Sequence, residues 1–155
     1  MKKALLSFAL ITLLSCSNSN DNNTEQGNIA NKWHLTSILE NGTPITGYTC
    51  NTNFDITEFT EDGFSITKYA DTNSNNVCTQ YTENGNYTVA SNILEDIQRN
   101  SNNVIIYKAR YKITELTSTT LKLSLLYLYE TNANGTNPYT SNYVEGEEVK
   151  VYSKM

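Results

Sequence analysis

Beyond residue 30, apolar and polar residues alternate with period two along most of the chain. The clearest run is Ile105 to Ile113: odd positions read Ile105, Tyr107, Ala109, Tyr111 and Ile113, and Lys108, Arg110 and Lys112 fill even positions. Successive strand side chains point to opposite faces, so the odd set belongs on a core face and the basic stripe outside. The next run continues the odd phase through Leu121, Leu123, Leu125, Tyr127 and Tyr129, although Leu126 and Leu128 blur its outer face. Glu145, Glu147 and Glu148 are available as cross-strand partners for the basic stripe.

The same reading gives strands at 32–40, 54–60, 64–70, 78–82, 85–90, 103–116, 121–130 and 143–154. Asn41-Gly42 and Asp62-Gly63 punctuate the first of them, and an Asp-Gly pair between β-rich runs is a strong hairpin signal. The best helical candidate is 91–103, with Ile93, Leu94 and Ile97 on one face, but it covers at most about two turns. Threonine, tyrosine and β-branched residues favour pleated surfaces, and asparagine favours the turns between them. The expected fold is therefore all-β: seven or eight antiparallel strands in sequential hairpins, as an up-and-down barrel or a meandering sandwich.

The first thirty residues follow a different pattern. Lys2 and Lys3 precede an apolar stretch from Ala4 to Leu14. That is about half the length needed to span a bilayer, which fits the core of a signal peptide. The stretch ends Leu13-Leu14-Ser15-Cys16, which resembles the bacterial lipobox. The resemblance implies lipid transfer to the Cys16 sulfur, cleavage before it and acylation of the new amino terminus. Ser17 resembles an outer-membrane sorting signal. Residues 17–30 are polar and almost free of apolar side chains, a tether with an r.m.s. reach of about 20 Å. The expected organisation is a signal peptide at 1–15, a lipidated cysteine and tether at 16–30, and one domain at 31–155.

Charge narrows the partners. The chain has 11 Lys and Arg against 16 Asp and Glu; without Lys2 and Lys3, nine basic residues face sixteen acidic ones, a net of −7. So acidic a domain lacks the basic footprint that nucleic acid requires, and it favours anchoring by lipid over a basic patch. With Cys16 assigned to the anchor, Cys50 and Cys78 remain, and an even pair in an oxidising compartment is most simply a disulfide. Closing that loop would contribute about 3–4 kcal/mol in the chain-entropy model.

The ordered features over 31–155 resemble the lipocalin-like domain of small bacterial surface lipoproteins. They comprise a first strand "KWHLTSI" carrying Trp33, a cysteine ahead of "FDITEFTEDGFSI" and a second cysteine before "GNYTV". The hairpin "YKITELTSTTLKLSL" and the closing strand "VKVYSK" complete the set. Where that family shows Gly-x-Trp, this chain has Asn31-Lys32-Trp33, and Lys154 stands near the place of an arginine late in the last strand. The resemblance implies an eight-stranded antiparallel barrel, which can enclose one small ligand.

Candidate chemistry is sparse. No HExxH, GxSxG, P-loop or GxGxxG occurs, and His34 alternates away from Trp33 to the surface. Asp71-Thr72-Asn73-Ser74-Asn75-Asn76 imitates the start of a calcium loop, but the required glycine and glutamate are replaced by Asn76 and Thr82. No cofactor, metal site or enzymatic activity is expected. The expected function is carriage of a small apolar molecule by a monomeric, outer-membrane lipoprotein. Trp33, Phe59, Phe64, Tyr87, Tyr107, Tyr111, Leu123, Leu125 and Tyr127 are the expected cavity residues. The alternative is a side-chain-filled barrel whose loops at 71–77 and 131–142 contact a protein or glycan.

Overall fold

A computed structural model describes residues 28–45, 55–72 and 77–155. The strands are β1 Lys32–Glu40, β2 Thr43–Pro44, β3 Ile56–Phe59, β4 Phe64–Thr72 and β5 Cys78–Ala90. They continue as β6 Ile93–Arg99, β7 Ile105–Leu116, β8 Thr120–Glu130, β9 Tyr139–Asn142 and β10 Glu148–Lys154. All pairings are antiparallel. The sheet runs β1-β3-β4-β5-β6-β7-β8, and β10 joins β8 to β1, which closes an eight-position barrel. The last position is shared: β9 pairs with Tyr127–Glu130 of β8, and β10 pairs with Thr120–Ser124. Between them the chain turns outward at 143–147. There the Gly146 N–H donates to the buried Ser124 hydroxyl (2.8 Å). No described helix is long and apolar enough to cross a membrane.

The period-two reading holds for most of the sheet, and its failures have local causes. The segment 91–103, the best helical candidate and the place where the pattern predicts no strand, holds strand β6, which pairs with β5 and β7. Its inward residues are Leu94, Asp96 and Gln98, two of them polar, so its alternation is invisible to hydrophobicity. The two strands expected at 78–82 and 85–90 are one 13-residue strand. Gly85, which looks like turn chemistry, lies mid-strand opposite Ser65.

A third difference reorients half of β8. Arg110 pairs with Tyr127 and Tyr111 with Leu125, leaving Leu126 as an extra residue in a β-bulge. The phase inverts there. Leu121, Leu123 and Leu125 point inward, and past the bulge Leu128 and Glu130 do so. Tyr127 therefore faces outward, its ring 5.0 Å from the Arg110 guanidinium carbon.

One end of the barrel is solid. Trp33 is 0% exposed and packs in a cluster with Phe59, Leu94, Leu121 and Tyr152, and its indole Nε1–H donates to the Ile29 carbonyl (2.8 Å). Tyr87 meets Phe59 edge to face, with centroids 4.9 Å apart, and donates its hydroxyl to the Thr60 carbonyl (2.7 Å). The basic stripe lies outside as expected: Lys108 pairs with Glu95 (2.8 Å) and Lys112 with Glu145 (2.7 Å). Exposed pairs of this kind each contribute at most about 1 kcal/mol.

Candidate functional site

Above the Trp33 end the barrel is hollow. A cavity of about 610 Å³ occupies its interior, within the range of pockets that hold small organic ligands. Strand register sorts its wall into tiers. The floor is Phe59, Leu94, Leu123 and Tyr152, with Leu125 above. The waist carries Glu83, Asp96, Tyr107, Tyr111 and Lys150, and Asp55, Glu130 and Glu148 lie toward the open end.

Each waist carboxylate is held. Asp96 accepts from the Ser65 hydroxyl (2.5 Å) across the interior from β4 to β6. Gly85 leaves room for this pair: a Cβ there would lie 2.7 Å from Ser65 Oγ, 2.8 Å from Asp96 Oδ1 and 2.9 Å from the Ile97 carbonyl. Glu83 accepts from Tyr69 OH (2.7 Å) and Gln98 Nε2 (3.0 Å). Facing them, Lys150 Nζ donates to Tyr111 OH (3.3 Å), which is 3.0 Å from Tyr107 OH.

Burial, the largest cause, and the nearby Glu83 push the Asp96 carboxyl above the usual aspartate range; the Ser65 hydroxyl, Lys150 and the Ile97 amide pull against them. The folded protein thus holds this proton more tightly than the unfolded chain does. Stability from the protonated form is present below the ordinary aspartate value and is lost as pH rises through the raised value. Asp96→Asn keeps an acceptor for Ser65 and removes that loss. It should raise the melting temperature at pH 7, with a gain that shrinks toward pH 4. Thermal melts at both pH values check this; a gain independent of pH would contradict it. Burial and the adjacent Tyr111 likewise push the Tyr107 phenol well up, so at neutral pH it is an uncharged hydrogen-bonding group.

Of the nine expected cavity residues, the structure brings Phe59, Tyr107, Tyr111, Leu123 and Leu125 to the cavity wall. Trp33 and Tyr87 belong to the plug beneath it. Two expectations are corrected. Phe64 is 50% exposed on the outer face, because Ser65 is the inward residue of that strand. Tyr127 is outside because of the Leu126 bulge. Cys16 and Cys50 lie outside the described residues, as do 73–76 of the calcium-like segment. Cys78 begins β5. Among the described residues, no group of three or more His, Cys, Asp or Glu side chains could hold a metal ion.

The sequence reading missed Glu83, Asp96, Glu148 and Lys150. A signal existed for the last two: Glu148, Lys150 and Tyr152 share a strand face, so an inward Tyr152 carries both inside. Val149 and Val151 obscured it by making the opposite phase more hydrophobic.

A crystal structure of a lipocalin-like protein from Bacteroides uniformis ATCC 8492 is similar, at 15% identity and a TM-score of 0.49, covering 83% of this chain and 100% of that one. No curated protein matches the chain. Residues 29–123, more than half of the sequence, match the family described as the lipocalin-like domain. The chain belongs to the lipocalin-like domain family.

Proposed function

We propose that this protein is a lipid-anchored envelope protein, acting as a monomer, that holds one small amphipathic molecule in its barrel. The observation that carries the ligand half is the 610 Å³ cavity, which a side-chain-filled barrel would not have. Its chemistry revises the expected occupant. The floor is apolar, but five carboxyl groups and one ammonium line the waist and the open end, so a purely hydrocarbon ligand would leave polar groups desolvated without partners. An apolar body over Leu94 and Leu123 with a polar head at the waist fits both tiers. Among the described residues that line the cavity there is no serine, cysteine or histidine, which favours binding as the reading. The test is titration of Nile red, a neutral polarity-sensitive dye, into the chain from residue 16 onward carrying Cys16→Ser. Saturable one-to-one binding with a blue-shifted emission is expected, and a linear, non-saturating rise would oppose the reading.

The anchoring half rests on the sequence around Cys16. Ile29 and Trp33 enter the barrel at the plugged end, so the tether would join the barrel on the side opposite its open end. Lipid on Cys16 also leaves Cys50 and Cys78 as the natural disulfide pair. Cys16→Ala should abolish palmitate labelling and leave the precursor uncleaved; continued labelling would refute the anchor. A second reading, contacts with another macromolecule through the loops, draws support from exposed apolar residues near the open end, Val77, Tyr81, Val104 and Tyr139.

A further inference from the structure

The Lys150 ammonium stands deep in the barrel and lines the cavity. An ammonium carries three N–H donors. Among the described residues only the Tyr111 hydroxyl accepts from it. Its other two donors have no acceptor among the described residues, and Lys150 is the only basic side chain among the described residues of the cavity wall. Lys150 is partly exposed and faces the cavity, so a ligand that displaces water from its ammonium must supply an acceptor in return.

The surrounding charge decides which acceptor. Asp96 and Glu148 already act on Lys150 electrostatically. Asp55, Glu83 and Glu130 complete a wall of five carboxyl groups against one ammonium. A ligand carboxylate or phosphate would gain one positive partner whose charge is already balanced, and would meet several negative ones in a space where water screens poorly. A ligand ammonium would meet the field of the wall favourably, but at the waist it would face Lys150 with no acceptor to offer it. Tyr111 foremost, with Tyr152 and Glu148, holds the Lys150 proton above the ordinary lysine range, while burial works in the opposite direction. The donor is therefore permanent at neutral pH.

We propose that Lys150 is the residue that recognises the ligand's head group, and that this head is an uncharged oxygen acceptor, a carbonyl or hydroxyl, on an amphipathic molecule. The proposal rests on the reading that the barrel holds a ligand, and it adds the chemical class. Phe59, Leu94 and Leu123 beneath the waist take the apolar body. The Tyr111 hydroxyl, bridged toward Tyr107, steers the ammonium from one side and leaves the other donors for the ligand.

Calorimetric titration of the Cys16→Ser chain from residue 16 onward at pH 7, with octanamide, octanoate and octylammonium, tests this. The three probes share one tail and differ in head charge. Octanamide should bind most tightly, by roughly tenfold or more, the worth of one hydrogen bond to a charged group. Lys150→Met should weaken octanamide by a similar factor. It should also reverse the order, making octylammonium the tightest, because the carboxyl groups lose their internal cation. Tyr111→Phe, which keeps the Lys150 charge, should preserve the original order. Octanoate binding as tightly as octanamide, or an unchanged order in a folded Lys150→Met chain, overturns the assignment while leaving the binding reading intact. Failure of all three probes and of Nile red to bind overturns both. If Lys150→Met does not fold, the order on the otherwise unaltered chain decides by itself.

Discussion

Trp33→Ala should cost about 3–5 kcal/mol of folding stability, the range for removing a large buried aromatic side chain. Trp33 is 0% exposed on the second residue of β1 and packs in the cluster that closes one end of the barrel. Two features place its loss at the upper end of that range. First, the indole hydrogen bond to Ile29 ties the segment leading into β1 to the plug, so truncation leaves the carbonyl without its partner. Second, the plug lies directly beneath the existing cavity, whose floor includes Phe59, Leu94 and Tyr152 of the same cluster. Removing the indole extends that space downward instead of allowing collapse, and the cost of a core truncation grows with the volume left empty. Urea denaturation of the two chains measures it. A loss under about 1 kcal/mol would mean that Trp33 is not the plug described above.

Gly85→Ala should also destabilise, by about 1–3 kcal/mol, as overpacking does. Elsewhere a Gly→Ala exchange on a strand gains about 0.4–1 kcal/mol by restricting the unfolded chain. At this position the added methyl would meet Ser65 Oγ, Asp96 Oδ1 and the Ile97 carbonyl at 2.7, 2.8 and 2.9 Å. The two side chains can rotate away only by giving up their mutual hydrogen bond, and the carbonyl belongs to the neighbouring strand and is fixed by the sheet. The effect should reach beyond stability, because displaced Asp96 moves a carboxyl group within the cavity wall. Chemical denaturation, with Nile red affinity read on the same preparation, checks both. A chain as stable as the original would show that Gly85 answers a turn, as its sequence context suggests, and not a close approach.

The outline of the barrel was legible because most of its strands have an apolar inner face and a polar outer one. β7 from Tyr107 to Ile113 and the first half of β8 read correctly from alternation alone, whereas β4 carries Ser65 inward in place of Phe64 and β7 opens with Ile106 inward in place of Ile105. The cavity was legible only where its wall is aromatic or aliphatic, at Phe59, Tyr107, Tyr111, Leu123 and Leu125. Its polar half was not, since a charged residue facing an internal space has the same signature as one facing solvent. Asp96 on β6 and Lys150 on β10 show this most clearly: the pattern predicts no strand where β6 lies, and it makes β10 an ordinary closing strand. The bulge at Leu126 is a different kind of failure. Adding one residue reverses every later side chain on the strand, and the run "LSLLYLYE" contains leucine or tyrosine in both phases. Only pairing with Arg110 and Tyr111 reveals which residue is the extra one.

The central claim is that the barrel interior, and not its surface, receives a small molecule. Leu125→Trp tests it most directly. Leu125 is 2% exposed to solvent and lies on the cavity wall, inside the bulge that inverts β8. An indole at that position has the cavity itself to occupy and can enter it without displacing the backbone. A Nile red titration of the folded Leu125→Trp chain should lose the saturable, blue-shifted component seen with leucine. Unchanged saturable binding with tryptophan at this position would contradict the account, because the dye would then be bound elsewhere.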